Sequence, residues 1–131
     1  MIINLTQDAA SPEQITQGVT DLQGEQRDAL VHLLTFSKLP DVQEILDRAS
    51  DIAELACYNG LGDPDGDSPM PHQAMIGGAL WLMAPLATAL RERNIDPVFA
   101  FSVRETEEQT QADGSVRKVA VFRHAGWIPA V

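Results

Sequence analysis

Arg104, Arg123 and His124, all near the C-terminus, are the side chains best suited to hold or act on an anion. Asp113-Gly114 is a strong hairpin signal between two runs rich in β-branched residues. With those two residues at the centre of the turn, Gln109 faces Lys118 and Arg104 faces Arg123. Two arginines directly opposed repel, which requires compensation. An anion held between them, splayed solvated side chains, a nearby acid such as Glu105 or a slipped register would each supply it. His124 suits a general base as a neutral imidazole and an anion contact as an imidazolium, while a lone histidine near a terminus is more often structural. Gly77-Gly78 ahead of a helix can bring backbone N–H groups and a positive helix end to a phosphate. It is neither a G-x-G-x-x-G nor a Walker sequence, and a tight turn without a ligand accounts for it as well. Thr6 and Asp8, after the first apolar run, approach the same edge, where Thr6 can donate to a phosphate or cap locally. Ser102, in the strand, reads as a small core residue or a further ligand contact.

Other chemistries find little support. His32, His72 and His124 lack ligand spacing and no cysteine pair exists, which argues against a structural zinc site. Asp63, Asp65 and Asp67 alternate around Gly66, but an EF-hand needs its glycine sixth and a glutamate twelfth. Here Gly66 is fourth and Ala74 twelfth, so a surface turn is expected. Cys57, the single cysteine, falls at a packing position, and its being alone agrees with a reducing compartment. No nucleophile elbow is present, and neither metal nor cofactor is expected.

The elements that must position these residues centre on 74–103. A short apolar run (Ala74, Met75, Ile76) meets Gly77-Gly78, then an apolar-striped helix, then Val98, Phe99, Phe101 and Val103. Strand, turn, helix and strand describe a βαβ crossover between parallel strands. Pro85 is tolerated in a first helical turn, which predicts a regular helix from Leu82 to Arg93 with Asn94 as its stop. Upstream, Ile2, Ile3 and Leu5 predict a central first strand. Ser11-Pro12-Glu13-Gln14 then gives a capping box, and Gly18 ends that helix. Val19–Leu22 is a short strand candidate. Glu25–Phe36 is a helix with Ala29, Leu30, Leu33 and Leu34 on one face. Asp41–Cys57 is a second, striped by Val42, Ile45, Leu46, Ala49, Ile52, Ala53 and Ala56, with Arg48 on its solvated side.

Composition bounds the function. The 131 residues form one domain, 1–131, with 44% hydrophobic content and no run long enough to span a bilayer. No basic segment precedes an apolar core at the N-terminus, so a cytoplasmic protein without membrane contact is expected. Net charge is −10, and all of it lies in residues 1–90, which hold three basic and thirteen acidic side chains. Residues 91–131 hold six of each. The acidic body repels a phosphate backbone, which argues against long nucleic acid and leaves room for a small anionic ligand at a local arginine cluster.

Ile3-Asn4-Leu5-Thr6, AMIGG at 74–78, Phe99-Ala100-Phe101-Ser102-Val103-Arg104-Glu105 and Phe122-Arg123-His124-Ala125-Gly126-Trp127 give the chain a family likeness. It resembles small CRISPR-associated Rossmann-fold proteins, including ring nucleases and their mobile-element relatives. The resemblance implies a homodimer that binds a cyclic oligoadenylate across its axis and cleaves it without metal, the ribose 2′-hydroxyl attacking the adjacent phosphate. Carried onto this chain, it puts Thr6 in the loop after the first strand, with Arg104, Arg123 and His124 on the phosphate. Asp8 departs from the pattern, which has a histidine there, and an acid facing phosphate opposes binding.

The expected architecture is thus α/β and Rossmann-like, a mostly parallel sheet with helices on both faces and a C-terminal antiparallel hairpin. The expected function is recognition, with cleavage by Arg123 and His124, of a small nucleotide signal held by Thr6, Asp8, Gly77, Gly78, Ser102 and Arg104. The alternative is a non-enzymatic, acidic protein-interaction module of a phage or mobile element.

Overall fold

A computed structural model describes residues 1–57 and 71–131. The aspartates at 63, 65 and 67 lie outside the described residues. The chain is mixed α/β. It runs β1 (Ile2–Leu5), α1 (Pro12–Thr16), β2 (Val19–Asp21), α2 (Gly24–Leu34), α3 (Val42–Cys57), β3 (Gln73–Ile76), α4 (Leu80–Arg91), β4 (Asp96–Thr110) and β5 (Val116–Pro129). The five strands form one sheet in the order β2-β1-β3-β4-β5. The first four are parallel, and β4 with β5 is antiparallel.

Local signals set most of the boundaries. Ser11 caps α1 in a reciprocal box with Gln14, and Gly18 ends the segment at a positive φ. The Asp41 carboxylate accepts from the Glu44 amide at 2.8 Å and starts α3. Asn94 adopts φ 60° and closes α4, with the Ile95 amide returning to the Leu90 carbonyl at 3.0 Å. Arg48 departs from its expected solvated place. It folds back to donate to the Leu33 and Thr35 carbonyls and lies 4.3 Å from the Phe36 ring centre, satisfying the end of α2. Helix α4 begins at Leu80, two residues before the expected Leu82, so Pro85 sits inside the helix and not in its first turn. The main core clamps this segment: Leu82, Leu86 and Leu90 are fully buried. That burial offsets the cost of an interior proline, about 3 kcal/mol or more.

Alternation along the strands divides the core into two. Ile3, Leu5, Ala74 and Ile76 face α2, α3 and α4 in the larger cluster. Ile2, Val19, Met75 and Val98 form the second, against which Ala10 and Trp127 pack. Three of the four helices therefore cover one face, and the expected matching layer of helices on the other is absent among the described residues. The five-residue α1 buries none of its own residues. Instead the β4–β5 hairpin curls back over the second face and lands on α1. There the His124 amide donates to the Glu13 carboxylate at 3.0 Å.

Beyond that landing the two strands continue as a ribbon exposed on both faces. Its register corrects the expected one. The turn has three residues, Ala112 to Gly114: the Gly114 amide bonds the Gln111 carbonyl, the Gln111 amide bonds the Ser115 carbonyl, and Gly114 takes φ 86°. Pairing then runs Thr110 to Val116, Arg104 to Phe122 and Val103 to Arg123. A slip of one residue moves a side chain to the other face. Arg104 and Arg123 are therefore on opposite faces and form no pair. A bulge between Phe101 and Ser102 leaves Ala125 unpaired, and from Phe101–Gly126 to Val98–Pro129 the register is the expected one.

The Asp113 carboxylate fastens the turn by accepting from the Ser115 hydroxyl at 2.6 Å and its amide at 2.9 Å. These bonds hold the carboxyl below the ordinary aspartate range. The stabilisation is complete above the unfolded aspartate value and is lost as pH falls through the lower folded value. Acid titration followed by NMR should therefore leave the Ser115 amide resonance unmoved until below the ordinary aspartate range. Asp113→Ala should abolish that late titration.

Candidate functional site

Connections leave β1 and β3 in opposite directions across the sheet, β1 to β2 on one side and β3 to β4 on the other. Chain segments diverge at such a point and leave a crevice at the strand C-termini. A 680 Å³ cavity lies there. Thr6, Gln7, Asp8 and Ala9 after β1 form one wall, and Ile76 to Ala79 after β3 form the facing one. Ser11 and Gln14 at the start of α1, Leu34 of α2, Met75 of β3 and Phe99 and Ala100 of β4 complete the lining. The two walls meet closely, since a Cβ on Gly77 would lie 3.4 Å from the Thr6 methyl. Gly78 holds φ 137°, a conformation strained for any other residue.

The other wall leads into the start of α4. Ala79, its N-cap, supplies no side-chain cap; the Leu82 amide bonds the Ala79 carbonyl at 3.0 Å, and the amides ahead of it keep no acceptor from a capping side chain. They and the helix dipole together favour negative charge at that rim.

The wall after β1 is tied down from beneath by Asn4, a fully buried polar residue in an apolar strand. Its Nδ2 donates to the Asp21 carboxylate at 2.7 Å and to the Asp8 carbonyl at 2.8 Å. Its Oδ1 accepts from the Thr6 amide at 2.9 Å and the Thr6 hydroxyl at 2.7 Å. Asp21 in turn accepts from the Ala10 amide at 3.1 Å. One buried amide thereby fixes the path of residues 6–10.

Of the expected site residues, the structure gathers Thr6, Asp8, Gly77 and Gly78 in this cavity. Ser102, Arg104, Arg123 and His124 belong to the ribbon and are not among the lining residues. Arg123 is neutralised by acids instead: Glu105 at 2.9 Å, Glu107 at 3.1 Å and Glu13 at 3.7 Å. Arg104 stands exposed opposite Phe122. The His124 ring lies 4.5 Å from that of Trp127, with Nε2 3.1 Å from the Gln17 amide oxygen, at the landing on α1. Among the described residues, Asp8 is the one ionisable side chain of the lining. Cys57 packs against the main core as expected, and burial pushes its thiol up while Arg93 pulls it down and Glu54 raises it further.

Sequence reasoning missed Asn4, Asp21, Gln7 and Gln14. Asn4 carried a usable signal, because a polar side chain between Ile3 and Leu5 in a central strand must find partners.

Among the described residues, no three histidine, cysteine or acidic side chains gather as a metal site, and no helix is long and apolar enough to cross a membrane. No curated protein and no solved structure matches the chain. One family model does, over residues 1–128, and so takes in both the cavity and the ribbon. On that match the chain belongs to the Uncharacterized protein MJ1673 family.

Proposed function

We propose that the protein is a Rossmann-like recognition domain for a small nucleotide signal such as a cyclic oligoadenylate, bound in the cavity between the ends of β1 and β3. The observation that carries this reading is the uncapped start of α4, which opens on a cavity at the switch point of the sheet. Phosphate meets the amides after Gly77-Gly78, while Leu34, Ile76 and Phe99 offer apolar surface to a base.

The proposed role is recognition first. The lining holds no arginine, lysine or histidine, so any cleavage here relies on holding the ribose 2′-hydroxyl in line with its phosphate. Arg123 and His124, which the resemblance puts on the phosphate, sit at the ribbon base with protein partners of their own.

Titration calorimetry with cyclic and linear oligoadenylates tests the reading, with chromatography following turnover. Saturable heat from at least one member, reduced by blocking the α4 start, is the expected result. A well-folded protein giving no heat with any of them would refute it.

A further inference from the structure

We propose that Thr6 and Asp8 read ribose hydroxyls, so that the cavity selects ribonucleotides over deoxyribonucleotides. This rests on the nucleotide reading above and adds the class of sugar.

The argument is a count of protons. Asn4 Nδ2 has two acceptors, the Asp21 carboxylate and the Asp8 carbonyl, and Oδ1 receives the Thr6 amide. Its amide orientation is thereby fixed. The Thr6 hydroxyl lies 2.7 Å from Asn4 Oδ1 and 3.1 Å from the Asp8 carbonyl, both of them acceptors. A hydroxyl carries one proton, and here it is engaged within the protein whichever oxygen takes it. Towards the cavity Thr6 therefore offers lone pairs only. Of the two expected roles, donation to a phosphate or a local cap, this geometry fits the local one.

Asp8 beside it is exposed, lines the same wall and, as a carboxylate, can only accept. Its carboxylate has no hydrogen-bond donor or ion-pair partner among the described residues. The cavity thus has acceptors after β1 and the uncapped start of α4 after β3. A bare phosphate satisfies only the latter. A ribonucleotide satisfies both, with phosphate on the amides and ribose hydroxyls donating to Asp8 and Thr6. The acid that opposes phosphate binding at this position suits a sugar.

A site built to receive a hydroxyl rejects the analogue lacking it, because its own polar groups then stay unpaired. The experiment is calorimetry on the intact chain with cyclic tri-, tetra- and hexaadenylate, each against its 2′-deoxy analogue. The expected result is a preference of tenfold or more for the ribo form. Asp8→Asn, with an unchanged melting temperature, should cut that ratio severalfold and tighten the deoxy form, since it removes a negative charge. Equal affinity for the two sugars would overturn the inference and leave nucleotide binding standing, as would a ratio unaffected by Asp8→Asn. No binding of either series would overturn both.

Discussion

Asn4→Leu should unfold at a much lower urea concentration than the wild type, with an unchanged slope. Leucine shares the branching and side-chain heavy-atom count of asparagine and fills the site, so the polar pairing is what the variant removes. The Thr6 amide loses its acceptor, while the Asp8 carbonyl and the Asp21 carboxylate each lose one donor and keep another, the Thr6 hydroxyl and the Ala10 amide. An unsatisfied buried polar group costs about 1–3 kcal/mol and each further lost hydrogen bond about 1 kcal/mol, so the sum is on the order of 4 kcal/mol. A domain of ordinary stability, about 5–15 kcal/mol, loses a large share of it. Asn4→Asp separates the hydrogen bonds from the shape. It sets a second carboxylate at the place now 2.7 Å from Asp21, where two charges cannot both persist. Sharing a proton raises the folded-state value of that pair. The variant is therefore most stable below the unfolded carboxylate range and loses stability as pH rises through the raised value. Wild-type-like stability of Asn4→Leu would refute the role assigned to this residue.

Ala79→Asp should stabilise the fold and abolish nucleotide binding together. Aspartate at an N-cap accepts from the first-turn amides and is worth about 1 kcal/mol over alanine. The same carboxylate occupies the donors that phosphate needs and repels it, for an expected loss of about a hundredfold or more in affinity. Thermal melting and calorimetry on one preparation read both effects. Opposite signs are the diagnostic result, because a merely damaged protein loses stability and binding alike. A variant that binds as tightly as the wild type would remove α4 from the site. On the proposed nucleotide reading, the missing cap is a concession of stability to binding, of the kind expected where a site needs free backbone donors.

Much of this architecture is legible in the residues because local rules govern it. Ser11 with Gln14, Gly18, Asp41 and Asn94 each satisfy or terminate a backbone segment within a few residues, and each does so where expected. The parallel core is legible from its continuous apolar runs, and Thr6, Asp8, Gly77 and Gly78 fall together because they end adjacent strands. What failed depends on a single residue or on distant packing. Asp113-Gly114 fits a two-residue turn and equally a three-residue turn with glycine in the left-handed position. The choice decides whether Arg104 meets Arg123 or points away from it. The start of α4 was placed late because Pro85 argues locally for a first turn, whereas Leu82, Leu86 and Leu90 dock as one buried row. The cover of the second face has no local signature at all, since it comes from a hairpin about a hundred residues away from α1. Val42 and Leu46 continue the apolar stripe of α3 yet remain exposed at 72% and 48%, so periodicity alone overstates what the fold covers.

The ribbon carries a consequence for how the molecule breathes. Between Ser102 and Phe122 no residue enters either buried cluster, and a two-stranded hairpin of this kind is marginal alone in water. Its cooperativity is therefore divided from that of the body at the Ala125 bulge, with Arg123 and Glu13 as the last tie. Amides of β1 and β3 should therefore exchange with solvent only through global opening, and those of the ribbon by local fraying at a small fraction of that free energy. Hydrogen exchange should then divide the chain into two units of unequal persistence, a parallel body and an arm that unzips and re-forms many times within one lifetime of the folded core.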